Sequence, residues 1–103
     1  MMTGKPFSID EVEHLLKTEQ ADFTAAEHAK FARTKIAVRQ VRCFRSEQKA
    51  EGHLFVVADD GKTAIVFDDV EEEFAICKSQ LLDGVVREWG LAGSLVFALM
   101  HLK

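Results

Sequence analysis

Two apolar runs on either side of a short polar turn constrain this chain more than any other feature. Leu54-Phe55-Val56-Val57-Ala58 and Thr63-Ala64-Ile65-Val66-Phe67 flank Asp59-Asp60-Gly61-Lys62. β-Branched and aromatic residues favour extended chain, and an Asp-Gly pair suits a type I′ hairpin turn, whose central residues need positive φ. Strand side chains alternate between faces. Leu54, Val56 and Ala58 therefore point one way and Phe55 and Val57 the other, with Ala64 and Val66 set against Ile65 and Phe67 on the partner strand. A hairpin apolar on both faces belongs inside a sheet that is covered on two sides.

Upstream, two capping boxes start two helices. Ser8-Ile9-Asp10-Glu11 and Thr24-Ala25-Ala26-Glu27 each place a hydroxyl where it accepts the amide three residues on, with a glutamate reaching back. The first helix runs from about Ile9 to Thr18, with Ile9, Val12, Leu15 and Leu16 as its apolar stripe and Phe7 placed to staple Val12. The second runs to Arg33, and its alanines Ala25, Ala29 and Ala32 suit close packing.

From Lys35 to Arg45 the period changes to that of a strand. Ile36 and Val38, then Val41 and Cys43, alternate with basic residues, and the alternation slips near Arg39-Gln40 as a β-bulge would make it slip. Phe74-Ala75-Ile76-Cys77 is a further β-rich run. Leu81, Leu82, Val85, Val86 and Trp89 recur at helical spacing after Ser79, with Gly90 placed to stop a third helix. The run from Ser94 to Leu102 has both helix and strand formers, and its flanking glycines tip it toward strand. The reading is a single small α+β domain over residues 1–103, ordered ααβββαβ, with a mostly antiparallel four-stranded sheet packed with three helices. A final strand that follows a helical return must lie parallel to its neighbour, in order 4-1-2-3 or 1-2-3-4.

Composition narrows the function classes. With 48% apolar and 29% charged residues and one proline, the chain is globular and not disordered. Two cysteines in apolar runs point to a reducing compartment. The opening Met1-Met2-Thr3-Gly4-Lys5-Pro6 has no apolar core for a signal peptide, so the expected location is cytoplasmic, away from any membrane. A net charge of −4 disfavours nucleic acid as a partner.

The charge is nonetheless segregated. Lys30 to Lys49 carries seven basic residues and one acidic, and Asp59 to Glu73 seven acidic and one basic. Arg39, Arg42 and Arg45 could clamp a phosphate or carboxylate, for which arginine's planar fork is suited; equally, they could pair with the acidic segment. Cys43, Cys77, His53 and His101 have no metal-ligand spacing, and no residue set has the spacing of a catalytic group or a cofactor-binding loop. Of the two cysteines, only Cys43 has a basic neighbour on its own strand face, Arg45, to activate it. Trp89 reads as core on its stripe.

The expectation is a small, non-enzymatic, bacterial-type binding or regulatory module without catalytic residues, metal or cofactor. It acts through a protein partner or as a homodimer that covers a bare face of the sheet. The alternative is a sensor or enzyme for anionic metabolites that uses the basic strand as its clamp.

Overall fold

Both capping boxes close in the structure, a computed structural model that describes residues 6–103. The stretch Met1–Lys5, read above as lacking a signal peptide, lies outside the described residues. Ser8 and Thr24 accept the amides of Glu11 and Glu27, and those glutamates accept the cap amides in return. They start α1 (Ile9–Glu19) and α2 (Ala25–Thr34), with a short 3-10 turn between them. Phe7 and Val12 join the same core, and Phe7 meets Phe67 edge-on at 5.0 Å. The alanine stripe of α2 faces solvent. Its buried residues are Phe31 and Thr34, because a phenylalanine removes far more apolar area from water than an alanine does.

Five strands follow: β1 (Lys35–Arg45), β2 (Ala50–Asp59), β3 (Thr63–Asp68), β4 (Glu73–Lys78) and β5 (Gly90–Gly93), before the short helix α3 (Leu95–Leu99). The elements thus run ααβββββα, an α+β domain in which the runs at Lys35–Arg45, Leu54–Ala58, Thr63–Phe67 and Phe74–Cys77 all form strands and the last strand is Gly90–Gly93, ahead of the run expected to be it. The sheet order is β1-β2-β3-β4-β5, with every neighbour antiparallel.

Two expectations fail near the C-terminus. The third helix is absent: Ser79–Asp83 makes only a 3-10 turn, and Gly84 to Trp89 has no regular structure apart from one bridge residue, Val86. Gly84 sits at φ −140°, ψ −145°, far from helical values, so the helical periodicity is cut in its middle. With no helical return, β5 enters antiparallel to β4, and neither parallel arrangement occurs. The segment from Ser94 onward, expected as strand, instead starts a helix, because the Ser94 hydroxyl accepts the Phe97 amide and caps it.

The hairpin turn also differs in type. Only Gly61 has positive φ there, at 98°, whereas a type I′ turn needs it at two central residues. Asp60 instead accepts the amides of Lys62 and Thr63 on its side chain, an arrangement that holds the loop without a left-handed aspartate.

Two cores lie back to back on the sheet. On one face, α1, α2 and α3 cover Phe55, Val57, Ile65, Phe67 and Phe74. On the other, the smaller side chains Val41, Cys43, Leu54, Val56, Ala64, Val66 and Ala75 lie beneath Leu82, Val86 and Trp89. The slip near Arg39 is real: register shifts between Lys35 and Arg39, so Val38 joins the helix side and Val41 the other. A second irregularity around Val57 puts Ala58 on the helix side with it, and not with Leu54 and Val56. Every residue from Leu54 to Ala58 has no exposed surface in the single chain. Among the described residues both faces of the hairpin are covered, so the bare sheet face that motivates a homodimer is not found.

The second core owes its cover to the segment Gly84–Trp89, here called the strap. Val86 accepts from the Phe44 amide and donates to the Arg42 carbonyl, each at 2.9 Å, on the side of β1 away from β2. Four residues later the chain that follows the strap pairs with the outer side of β4 as β5. One length of chain therefore spans from one edge of the sheet to the other and curls it shut. Edge strands expose unpaired backbone groups, and the strap satisfies two of those on β1, the Phe44 N–H and the Arg42 C=O.

Candidate functional site

The three arginines of the basic strand do not converge. Arg42 is exposed and pairs across the hairpin with Glu51 at 2.9 Å. Arg39 is exposed and makes no ion pair among the described residues. Arg45 turns inward and makes two hydrogen bonds to Asp68, at 3.0 and 2.9 Å, with side chains only 10% and 6% exposed. The odd and even positions of a strand point to opposite faces, so Arg42 and Arg45 cannot grip one ligand.

Asp68 is a hub that sequence reading missed. It ends β3, accepts the Val70 and Glu71 amides that begin the turn into β4, and accepts the Trp89 indole N–H at 3.4 Å. Arg45 in turn lies 5.6 Å from the centre of the Trp89 ring. Burial works to raise the Asp68 carboxyl, but the hydrogen bonds and charge of Arg45 outweigh it, and the group is held below the usual carboxylate range. For Arg45 burial disfavours the charge, and Asp68 more than compensates. Both partners stay ionised. The one available signal was charge segregation: a basic strand and an acidic segment predict pairing, though not which pair is buried.

Neither thiol is primed as a nucleophile. Burial raises Cys43, and the opposing pull of Arg45 does not overcome it. Burial pushes Cys77 up to about 11, with the Asp59 carboxylate adding to the effect. Both thiols belong to the second core, while His53 stands 3.9 Å from Asp69 and His101 bonds to Phe97 on α3. No group of three histidine, cysteine or acidic side chains able to hold a metal occurs among the described residues. Likewise, no helix among them is long and apolar enough to cross a membrane.

What the geometry does offer is an open cleft of about 990 Å³ beside the strap. Phe44, Ile76, Leu81, Trp89 and Leu91 supply its apolar surface. Glu47, Glu71 and Glu88 are exposed carboxylates on its lining, against Lys78 and Arg87. Arg87 is already engaged, 4.9 Å above the Phe44 ring, and Arg45 and Asp68 neutralise one another at the base. The lining is apolar and mildly acidic, the opposite of an anion clamp. Compared with protein families, curated proteins and solved structures, the chain has no match.

Proposed function

We propose that this protein is a small, non-enzymatic binding module whose cleft receives a segment of a protein partner that is cationic and carries an apolar side chain. The observation behind this reading is the cleft lining. Aromatic and aliphatic surface lies among exposed carboxylates, while the deeply buried charges of Arg45 and Asp68 are already committed to each other. Aromatic side chains, tryptophan above all, are the usual anchors of an interface, and charged groups around them set which partner is accepted. The raised thiols argue for binding over nucleophilic chemistry.

Titrating the protein with a short lysine–leucine peptide and its glutamate–leucine counterpart tests this, with Trp89 as the single fluorescent tryptophan. The cationic peptide should perturb Trp89, bind less tightly as salt rises, and lose affinity with Glu71→Lys or Glu88→Lys. Equal responses to both peptides, or none to either, would remove the reading. A preference for the anionic peptide would favour the alternative, an anion clamp on the basic strand that carries Arg39, Arg42 and Arg45. A homodimer remains a proposal resting on exposed Leu91, Phe97 and Met100; a solution mass of twice 11.6 kDa would support it.

A further inference from the structure

We infer that the strap Gly84–Trp89 is a releasable cover over the second core, and that its opening frees the outer edge of β1 and exposes Cys43. Three observations support this.

The strap is thinly attached. Val86 is its one fully buried residue, while Gly84, Arg87 and Glu88 are exposed and Val85 and Trp89 half-buried. Among the described residues its backbone is tied to β1 by two hydrogen bonds, both through Val86, and its side chains are held by the long Trp89–Asp68 contact and by stacking of Trp89 with Arg45 and of Arg87 with Phe44. Local openings are drawn from segments with few buried apolar contacts and few protected hydrogen bonds.

Hinges stand at both ends. Gly84 and Gly90 have open space where a side chain would be, so side-chain packing clamps neither, and Gly90 is held only by its pairing opposite Ile76. Just beyond, Leu91 is held at φ 56° with more than half its surface exposed. An L-residue with a bulky side chain rarely adopts the left-handed region, and no apolar burial compensates for it here. That strain sits in the irregular stretch of β5 between the Gly90–Ile76 and Gly93–Phe74 pairings, and it relaxes where opening of the strap carries the Gly90–Ile76 pairing with it, which favours the open state.

What lies beneath differs from what lies under the helices. The second core consists of small side chains, and Cys43, with no exposed surface, is the residue whose backbone pairs with Val86. With the strap displaced, the Phe44 N–H and Arg42 C=O lose their partners, and β1 presents a free edge next to an uncovered apolar face. Such an edge is a template for a strand from another chain. The strap occupies that place in the closed form.

The experiment uses the full chain with Cys77→Ala, so that a thiol reagent reports on Cys43 alone. Labelling is followed against urea in the regime where reclosing outruns reaction, beside amide exchange of Phe44, Val86, Val57 and Val66. Cys43 should label at least tenfold faster than global unfolding allows, with a weak urea dependence, since little surface is exposed. The Val86 and Phe44 amides should report the same opening free energy, well below that of Val57 and Val66. Leu91→Asn, which tolerates positive φ, should slow labelling several-fold by relieving strain in the closed form. Labelling that tracks global unfolding overturns the inference. So does fast labelling that Leu91→Asn leaves unchanged while the Val86 amide stays protected, because that opening would lie in the β1–β2 hairpin. Peptide titration of the cleft reads a different quantity, so failure of one leaves the other standing.

Discussion

Arg45 reaches Asp68 by passing over β2, and it passes where Gly52 carries no side chain. Arg45 belongs to β1 and Asp68 to β3, with β2 between them. A Cβ built on Gly52 would stand 3.2 Å from Arg45 Nε and 3.7 Å from Cys43 Sγ. The glycine is required by close approach, not by its backbone angle, and it sets the path of the buried ion pair.

Gly52→Val should therefore displace Arg45 and cost stability. Removing one partner of a buried pair leaves an uncompensated charge, typically about 3–5 kcal/mol. Asp68→Ala should fall in that range too. The discriminating measurement is a double-mutant comparison by urea unfolding. If the glycine serves the arginine, Gly52→Val should cost markedly less in an Arg45→Met background. Equal costs in the two backgrounds would separate Gly52 from the pair.

The pair also shapes the acid limb of stability. The folded-state Asp68 carboxyl is lowered from 3.8. A group depressed on folding stabilises fully above its unfolded value and loses that contribution as pH falls through its folded value. Wild type should lose stability as pH drops below the ordinary carboxylate range, and Asp68→Asn should show a shallower loss over the same interval. Urea midpoints measured from pH 7 downward check the slope. Asp60, lowered by the Lys103, Thr63 and Lys62 amides against a burial effect of opposite sign, contributes in the same direction.

Arg42 and Arg45 should respond very differently to truncation. Both sides of the Arg42–Glu51 pair are more than half exposed, so Arg42→Ala should change stability by no more than about 0.5 kcal/mol. Arg45→Ala strands Asp68 and should cost several times that. Millimolar sulfate should raise the melting temperature of wild type and Arg42→Ala equally. A larger shift in wild type would place Arg42 in an anion site.

Two turn positions should give changes of opposite sign. Gly61 sits at φ 98° in open space, so Gly61→Val meets no clash but forces a β-branched residue into a poor conformation, at a cost of about 1–3 kcal/mol. Glu72, at φ 56° in the turn after Asp68, is strained already. Glu72→Gly should stabilise by roughly 0.5–1 kcal/mol. Thermal melts of the two variants should move in opposite directions.

Local chemistry made much of this fold legible. Ser8 with Glu11 and Thr24 with Glu27 name their own helix starts, because a capping box needs only four adjacent residues. The hairpin strands and the split of Ala64 and Val66 from Ile65 and Phe67 follow from period two alone. What stayed hidden depends on partners far along the chain. Leu81, Leu82, Val85, Val86 and Trp89 have the spacing of a helix, yet Val86 is claimed by the backbone of β1, a tertiary contact that propensity cannot register. Phe31 outranks its alanine neighbours only because α2 lies over a particular patch of sheet. The ion pair was visible as two blocks of opposite charge, but its members were not, since Gly52 chooses the route. The cleft arises from the strap and was not legible at all.

Closing the sheet with the strap has a kinetic consequence. Strands β1 to β4 are each joined to the next by a short turn, so they can zip together hairpin by hairpin, each step taking on the order of microseconds. Val86 must instead find Arg42 and Phe44 from the far end of an already paired sheet, and the entropy of that large loop has to be met before any contact forms. Refolding should therefore show amide protection in β2 and β3 ahead of the final change in Trp89 emission. Assembly is local until the last step, when the strap shuts the ring.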